Sequence, residues 1–348
     1  MMWAAGFRTA VIDPYDRLQF AEPRGFDGQT VRQVLHMAGG GEALRVRLTN
    51  QYGRAPLSVG AASVAVGRRR AVLTLGGADR FVVEAGEEAV LDPVELSVAA
   101  GTNVLLDLHF PEKTGLATYS HRPAELALIG PGNERVEARY FVSGIDVLVP
   151  DGTAIAVAFG DSWFEGVGTT IGANHRSVDF LNLRLDSGWV VNQGIAGNRL
   201  LRDGVGDHAA ARFDRDVLAV PAVTHVLLHF GINDLALPAL LGEAPVTAGE
   251  LIDGFAGLAD RAHRAGLTIL AATISPFDGA DHRIRHEVND WIRTTKAVDA
   301  VFDVARAVAD PHSPDRIRAA LGAGDGMHLN DRGAAVMAGT VDPGLLRS

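Results

Sequence analysis

The sequence predicts an α/β protein: a three-layer α/β/α domain with a five-stranded parallel sheet, preceded by an antiparallel β-sandwich or jelly-roll-like domain. Three observations support this prediction. With 348 residues, the chain exceeds what one hydrophobic core usually carries. Before residue 150, short alternating segments are separated by Gly and Pro, whereas after Pro150-Asp151-Gly152 apolar runs alternate with helical patterns. We therefore predict two domains, residues 1–150 and 151–348.

The first domain contains short segments of alternating or β-branched residues, which are typical of antiparallel strands. Turn signals such as Gly39-Gly40-Gly41 and Pro131-Gly132 lie between them. Many short strands with such punctuation indicate a sandwich or jelly roll. The predicted strands are 45–50, 57–66, 71–75, 80–84, 93–98, 103–110 and 140–145.

The second domain alternates strands with helices, which predicts crossover connections and a parallel sheet. Its strands are continuous apolar runs, as expected where helices cover both faces of the sheet. The predicted strands are 154–159, 189–192, 225–230, 267–273 and 300–304. The predicted helices are 175–185, 207–218, 248–265, 283–296 and 333–339.

Composition limits the function classes. The formal net charge of −10 argues against a nucleic-acid or anionic-membrane partner, since both require a basic face. The chain has no cysteine, which excludes disulfides, thiolate metal ligands and a cysteine nucleophile. The run from Val223 to Ile232 is too short to span a bilayer, so we expect no membrane insertion. No export leader is evident, which predicts a cytoplasmic protein; a secreted protein whose leader was removed would have the same sequence.

Polar motifs follow the predicted strands, at the sheet edge where ligands bind in open α/β folds. The first strand ends in Gly160-Asp161-Ser162, and comparable polar segments are 193–198, 231–234 and 325–330. A serine hydroxyl becomes a nucleophile when a base takes its proton and an acid orients that base. Asp325 and His328, three residues apart, fit the acid and base roles toward Ser162.

An acyl-transfer site also needs hydrogen-bond donors for the developing oxyanion. The backbone N–H groups of Ser162 and Gly197 and the side-chain amide of Asn233 follow three different strands and can converge there. Glycine at position 197 permits close approach of backbone to substrate. Asn233 can donate without a competing charge.

The sequence resembles the SGNH, or GDSL-type, esterase and lipase superfamily over residues 154–340. The resemblance rests on four polar segments that occur in the family's order: 160–162, 193–198, 231–234 and 325–330. The resemblance implies a flavodoxin-like catalytic domain at 151–348, with Ser162 as nucleophile, an Asp325/His328 pair and an oxyanion hole completed by Gly197 and Asn233. It extends to a branch with an N-terminal β domain that includes acetylxylan-esterase-like members. Residues 1–150 would then be an accessory β-sandwich, and the substrate a short-acyl ester, including O-acetyl groups on a carbohydrate or glycosylated metabolite.

One segment departs from the family pattern. Trp163 and Phe164 follow the serine where the family usually has smaller residues. We expect Trp163 or Phe164 to narrow or cap the pocket, or to form a stacking wall for a sugar or an aromatic group. Asn198 either contacts substrate or supports its loop.

No cofactor or metal is expected. The glycine motifs lack dinucleotide and Walker spacing. His282 and His286 are four residues apart, but Arg283 and Arg285 would oppose a cation. Two alternatives to an esterase stay open: an acyltransferase that uses the same acyl-enzyme, and a catalytically silent carbohydrate-binding protein.

Overall fold

The computed structural model describes residues 1–279 and 282–347. The chain divides into two compact units, Met1–Thr153 and Ala154–Ser348. The assignment of residues 1–150 as an accessory domain and of 151–348 as a catalytic domain stays a prediction.

The first unit consists of antiparallel strands. Its largest sheets have the strand orders β12-β11-β2-β9-β5-β6 and β1-β14-β3-β8, and the pairs β10-β13 and β4-β7 complete it. The strands are β1 (Met2–Arg8), β2 (Gln29–His36), β3 (Leu44–Thr49), β4 (Leu57–Val59), β5 (Ala61–Val66), β6 (Arg69–Val72), β7 (Phe81–Val83), β8 (Glu88–Val90), β9 (Asn103–Phe110), β10 (Tyr119–Ser120), β11 (Ala127–Ile129), β12 (Glu134–Val136), β13 (Arg139–Tyr140) and β14 (Val142–Val149).

Alternation of buried and accessible residues gives this unit its core. In β9, Val104, Leu106 and Leu108 are buried while the residues between them are partly accessible. Phe110 of β9 lies 5.1 Å, ring centroid to centroid, from Phe141, which precedes β14. Because β9 and β14 belong to different sheets, this contact joins the two sheets through apolar packing.

The second unit contains a five-stranded parallel sheet. Its strands are β15 (Ile155–Gly160), β16 (Trp189–Gly194), β17 (Val223–His229), β18 (Thr268–Ala272) and β19 (Ala300–Phe302), in the order β16-β15-β17-β18-β19. Numbered within the unit this is 2-1-3-4-5, the flavodoxin-like order. The chain reverses direction across the sheet between β15 and β17, so the ligand crevice is expected beyond the carboxyl ends of these strands.

Helices connect the parallel strands and follow the last of them. They are α1 (Ser162–Glu165), α2 (Ser177–Asn182), α3 (Ala209–Phe213), α4 (Ile232–Leu241), α5 (Ala248–Arg264), α6 (Arg283–Thr294), α7 (Val304–Val308) and α8 (Asp331–Gly339), with a π-helical turn at Asp214–Leu218 and a 3₁₀ turn at Pro343–Leu346. α8 packs against α2 and α7, whereas α5 packs against α3 and α6. The predicted three-layer α/β/α domain with five parallel strands, and the antiparallel region before it, are confirmed.

Several element boundaries differ from the prediction. The segment 93–98 forms single bridges at Val94 and Val98 rather than a strand, consistent with Pro93, which lacks a backbone donor. The strand Met2–Arg8 was not predicted because its Ala-Ala-Gly centre shows no alternation. The predicted helix 207–218 is divided into α3 and the π-helical turn.

Among residues 1–279 and 282–347, no helix combines the length and apolar character needed to cross a membrane.

Candidate active site

Ser162 lies at the first turn of α1, immediately beyond the carboxyl end of β15. The Asp161 side chain caps this helix by accepting the Trp163 backbone N–H at 3.1 Å. The helix ends after one turn at Gly166, whose left-handed φ of 110° reverses the chain. The capped turn therefore holds the Ser162 side chain at the crevice edge, where 4% of the residue is accessible.

His328 and Asp325 come from the loop before α8 and meet Ser162. Nε2 of His328 lies 3.0 Å from Oγ of Ser162, and Nδ1 lies 2.6 Å from Oδ2 of Asp325. The other carboxylate oxygen of Asp325 accepts the backbone N–H groups of Met327 (2.9 Å) and His328 (2.8 Å). One tight turn thus fixes both the carboxylate and the imidazole.

The protonation of Asp325 selects the tautomer of His328. Burial acts to raise the pKa of Asp325, but the hydrogen bonds from the His328 side chain and from the Met327 and His328 backbone outweigh it and lower the pKa. An ionised carboxylate only accepts hydrogen bonds, so Nδ1 of His328 carries the proton. In the neutral imidazole Nε2 is then the acceptor, and the Ser162 hydroxyl donates to it.

Gly168 shapes the seat of the His328 loop. Its φ is +91°, and a Cβ at this position would come within 2.5 Å of the Leu329 carbonyl oxygen and 3.2 Å of the His328 Cβ. A side chain here would therefore push the loop away from α1.

The predicted oxyanion donors lie on neighbouring strand ends. Gly197, in the loop after β16, has a φ of +81°. Asn233 lies in the first turn of α4, just beyond β17, and its Nδ2 donates to the Asn198 carbonyl oxygen at 2.9 Å. This bond fixes the Asn233 side chain, and Nδ2 carries a second N–H. β16 and β17 flank β15, so both donors follow strands adjacent to that of Ser162.

The Asn198 side chain is fully buried. Its Nδ2 donates to the carbonyl oxygens of Val205 (2.8 Å) and Asp207 (2.9 Å), and its Oδ1 accepts from Nε of Arg212 at 3.0 Å. These contacts favour loop support over the alternative prediction of substrate contact.

Trp163 and Phe164 are 4% and 3% accessible. The Trp163 ring stacks on His229 with a centroid distance of 5.1 Å, and Phe164 meets the same imidazole edge-on at 5.9 Å. His229 in turn is hydrogen-bonded through Nδ1 to Asp161 (3.0 Å) and through Nε2 to Ser275 (2.9 Å). Both rings therefore pack beneath the serine turn, and these contacts leave little ring surface to cap a pocket or stack on a sugar.

Arg212 is a site residue that sequence reasoning missed. Its guanidinium is completely buried and donates to the carbonyl oxygens of Gly160 (2.8 Å) and Gln193 (2.9 Å), at the ends of β15 and β16. It also pairs with Asp216 at 3.0 Å. Arg212 thus joins the strand that precedes Ser162 to the strand that precedes Gly197. Nothing in its helical surroundings in the sequence indicates this role.

Among residues 1–279 and 282–347, no group of three or more His, Asp or Glu side chains could hold a metal ion. The imidazoles of His282 and His286 lie 6.4 Å apart, and His286 pairs with Asp315 at 2.6 Å.

The sequence pattern assigns the family. Residues 158–336, more than half of the chain, match the model of the GDSL-like lipase/acylhydrolase family. The chain therefore belongs to this family, and the prediction of a carboxylic ester hydrolase is confirmed. No match is found among curated proteins.

Solved structures show distant likeness. A GDSL-like lipase from Bacteroides thetaiotaomicron is 15% identical with a TM-score of 0.44, covering 57% of this chain and 90% of its own. A family two carbohydrate esterase from Cellvibrio japonicus is 12% identical with a TM-score of 0.41; the match covers 99% of this chain and 94% of the esterase chain. A variant of an acetyl-xylooligosaccharide esterase from Geobacillus Stearmophilus is 21% identical with a TM-score of 0.41; the match covers 55% of this chain and 93% of the variant's chain.

Proposed function

We propose that this protein is a serine esterase that cleaves carboxylic esters through an acyl-enzyme on Ser162. The observation that carries the proposal is the continuous hydrogen-bonded series from Ser162 Oγ to His328 Nε2 (3.0 Å) and from His328 Nδ1 to Asp325 Oδ2 (2.6 Å). This is the arrangement in which an imidazole can remove a hydroxyl proton while a carboxylate stabilises the resulting imidazolium.

In the first half-reaction, Ser162 Oγ attacks the ester carbonyl carbon as its proton moves to Nε2 of His328. The carbonyl oxygen becomes an oxyanion, which accepts from the Ser162 and Gly197 backbone N–H groups and from Asn233 Nδ2. The carbon–oxygen bond to the leaving alcohol then breaks, and His328 returns the proton to that alcohol. Water, activated by the same imidazole, hydrolyses the acyl-enzyme and restores the serine.

We propose short-acyl esters as the substrates, with O-acetyl groups on a carbohydrate as the natural class to test. The support is the sequence resemblance to a branch that includes acetylxylan-esterase-like proteins. A series of p-nitrophenyl esters from acetate to octanoate measures the acyl preference, and acetate release from acetylated xylo-oligosaccharides tests the sugar. A higher kcat/KM for octanoate than for acetate would contradict a short-acyl preference.

The mechanism is tested by Ser162→Ala and by labelling with a fluorophosphonate, with the modified residue identified by mass spectrometry. Ser177→Ala is a matched control, because Ser177 is a buried helical serine whose hydroxyl donates to the Trp163 carbonyl oxygen at 3.0 Å. We expect Ser162→Ala to lose turnover and labelling, whereas Ser177→Ala keeps both. Turnover by Ser162→Ala at the wild-type rate would refute the acyl-enzyme.

A further inference from the structure

Two buried carboxylates hold the loop that contains Gly197. We call residues 194–201 the oxyanion loop. Oε2 of Glu165 accepts the Ala196 backbone N–H at 2.5 Å. Oδ2 and Oδ1 of Asp234 accept the backbone N–H groups of Leu200 (2.8 Å) and Leu201 (3.0 Å). The loop is therefore hydrogen-bonded on both sides of Gly197.

Each carboxylate belongs to a helix that also carries a proposed reactive group. Glu165 is the last residue of α1, whose first residue is Ser162. Asp234 directly follows Asn233 in the first turn of α4. The loop is thus tied to the helix of the nucleophile at one end and to the helix of the amide donor at the other. Through these ties, the position of Gly197 is set relative to both groups.

Both carboxylates are buried, which indicates a structural role, unlike charged side chains on the surface that mainly contact water. Glu165 and Asp234 are 3% and 1% accessible. Burying a carboxylate costs free energy unless hydrogen bonds compensate for the lost hydration. Backbone N–H groups of an exposed loop would need no such partner, because water can accept their hydrogen bonds. In both cases backbone N–H groups of the oxyanion loop donate hydrogen bonds to the carboxylate. Removing either carboxylate would take these hydrogen bonds away from the loop and weaken the restraint on its position.

We propose that Glu165 and Asp234 are positioning residues that aim the Gly197 N–H at the oxyanion of the reacting ester. This inference rests on the proposed function. It assigns no contact between either carboxylate and substrate. A displacement of about 1 Å in a catalytic group can lower turnover by roughly 100-fold. Because the oxyanion forms only in the transition state, we expect a displaced Gly197 N–H to lower kcat and to leave KM little changed.

The test compares three variants with a control at a carboxylate that also accepts a backbone N–H but lies outside the oxyanion loop. Glu165→Met keeps the side-chain length without an acceptor, and Glu165→Gln restores a neutral acceptor. Asp234→Asn can accept only one of the two loop N–H groups well, because its amide nitrogen faces the other donor. Asp299→Asn is the control: Asp299 accepts the Ile269 backbone N–H (2.8 Å) and pairs with His263 (3.0 Å), near the amino end of β18.

Turnover of p-nitrophenyl acetate gives the first readout. For Glu165→Met and Asp234→Asn we expect kcat to fall by about 10- to 100-fold, with KM little changed. Glu165→Gln should recover most of the lost turnover, and Asp299→Asn should retain the wild-type kcat. Should Glu165→Met not fold, Asp234→Asn and Glu165→Gln still test the proposal.

Affinity for an alkyl boronic acid gives the second readout, because its tetrahedral adduct with serine mimics the oxyanion. We expect the inhibition constant to rise by the same factor as kcat/KM falls, since both report transition-state stabilisation. An unchanged boronate affinity, or equal losses in the Asp299→Asn control, would overturn the positioning role. The Ser162→Ala variant separates the two proposals. If Ser162→Ala keeps its turnover, the proposed function is wrong. If Ser162→Ala loses turnover while the Glu165 and Asp234 variants behave as wild type, only the positioning role is wrong.

Discussion

Replacement of Asp325 by Asn tests the proposed orientation of His328 with little change in shape. Oδ2 of Asp325 now accepts the Nδ1 proton at 2.6 Å, while Oδ1 accepts the Met327 and His328 backbone N–H groups at 2.9 and 2.8 Å. In the variant, the Asn oxygen is held by those two backbone donors. Its NH₂ group must then face Nδ1 as a donor.

The consequence is a change of tautomer. His328 would accept at Nδ1 and carry its proton on Nε2, so Nε2 could no longer take the Ser162 proton. In the serine-protease triad, the equivalent change lowers kcat by about 10⁴-fold, or about 5.5 kcal/mol in activation free energy. We expect a loss of about 10³- to 10⁴-fold here, with KM little changed.

The assay is p-nitrophenyl acetate hydrolysis, with folding monitored by circular dichroism. Asp203→Asn is a matched control, because Oδ1 of Asp203 accepts both the His208 backbone N–H (2.9 Å) and a hydrogen bond from its Nδ1 (2.7 Å) without involving Ser162. A loss below tenfold in Asp325→Asn, or a similar loss in both variants, would refute the argument.

Four further outcomes are expected. Asn233→Ala should lower kcat by about 100- to 1,000-fold through loss of an oxyanion donor, whereas Asn182→Ala, which removes a side chain bonded to the Val190 backbone, should not. Burial raises the pKa of Asp234 from 3.8 to about 6, so the folded state binds its proton more tightly than the unfolded state. Stability from this group is therefore fully present below about pH 4 and is lost as pH rises through 6, by about 3 kcal/mol in total; urea unfolding of wild type and Asp234→Asn from about pH 4 to about pH 7 should differ by that step. Trp163→Ala should cost about 3–5 kcal/mol of unfolding free energy without altering the acyl-length profile, and a changed profile would restore the pocket interpretation. A chelator should leave turnover unchanged, because the proposed base is an imidazole; a loss that added metal restores would contradict this.

The parallel sheet was predictable because its strands are buried on both faces. Residues 154–159 form an uninterrupted apolar run, and residues 225–230 contain two histidines but no charged carboxylate, lysine or arginine. The structure places β15 at Ile155–Gly160 and β17 at Val223–His229. The hydrophobic pattern of the sequence was less informative for helices that lack a clear helical period and are stabilised mainly by tertiary packing. α4 (Ile232–Leu241) carries Pro238 and follows directly on β17, so its sequence resembles a turn after a strand.

The sequence alone also indicated which reactive residue types follow the first three parallel strands and precede the last helix, because the carboxyl edge of a parallel sheet gathers loops that are distant in the chain. The tertiary structure decided what those residues contact. It turned Trp163 and Asn198 inward, where ring stacking and backbone carbonyls use their surfaces. It also brought Arg212 to the ends of β15 and β16. Such contacts depend on which strands are neighbours and how side chains pack between layers, and no local spacing in a sequence encodes them.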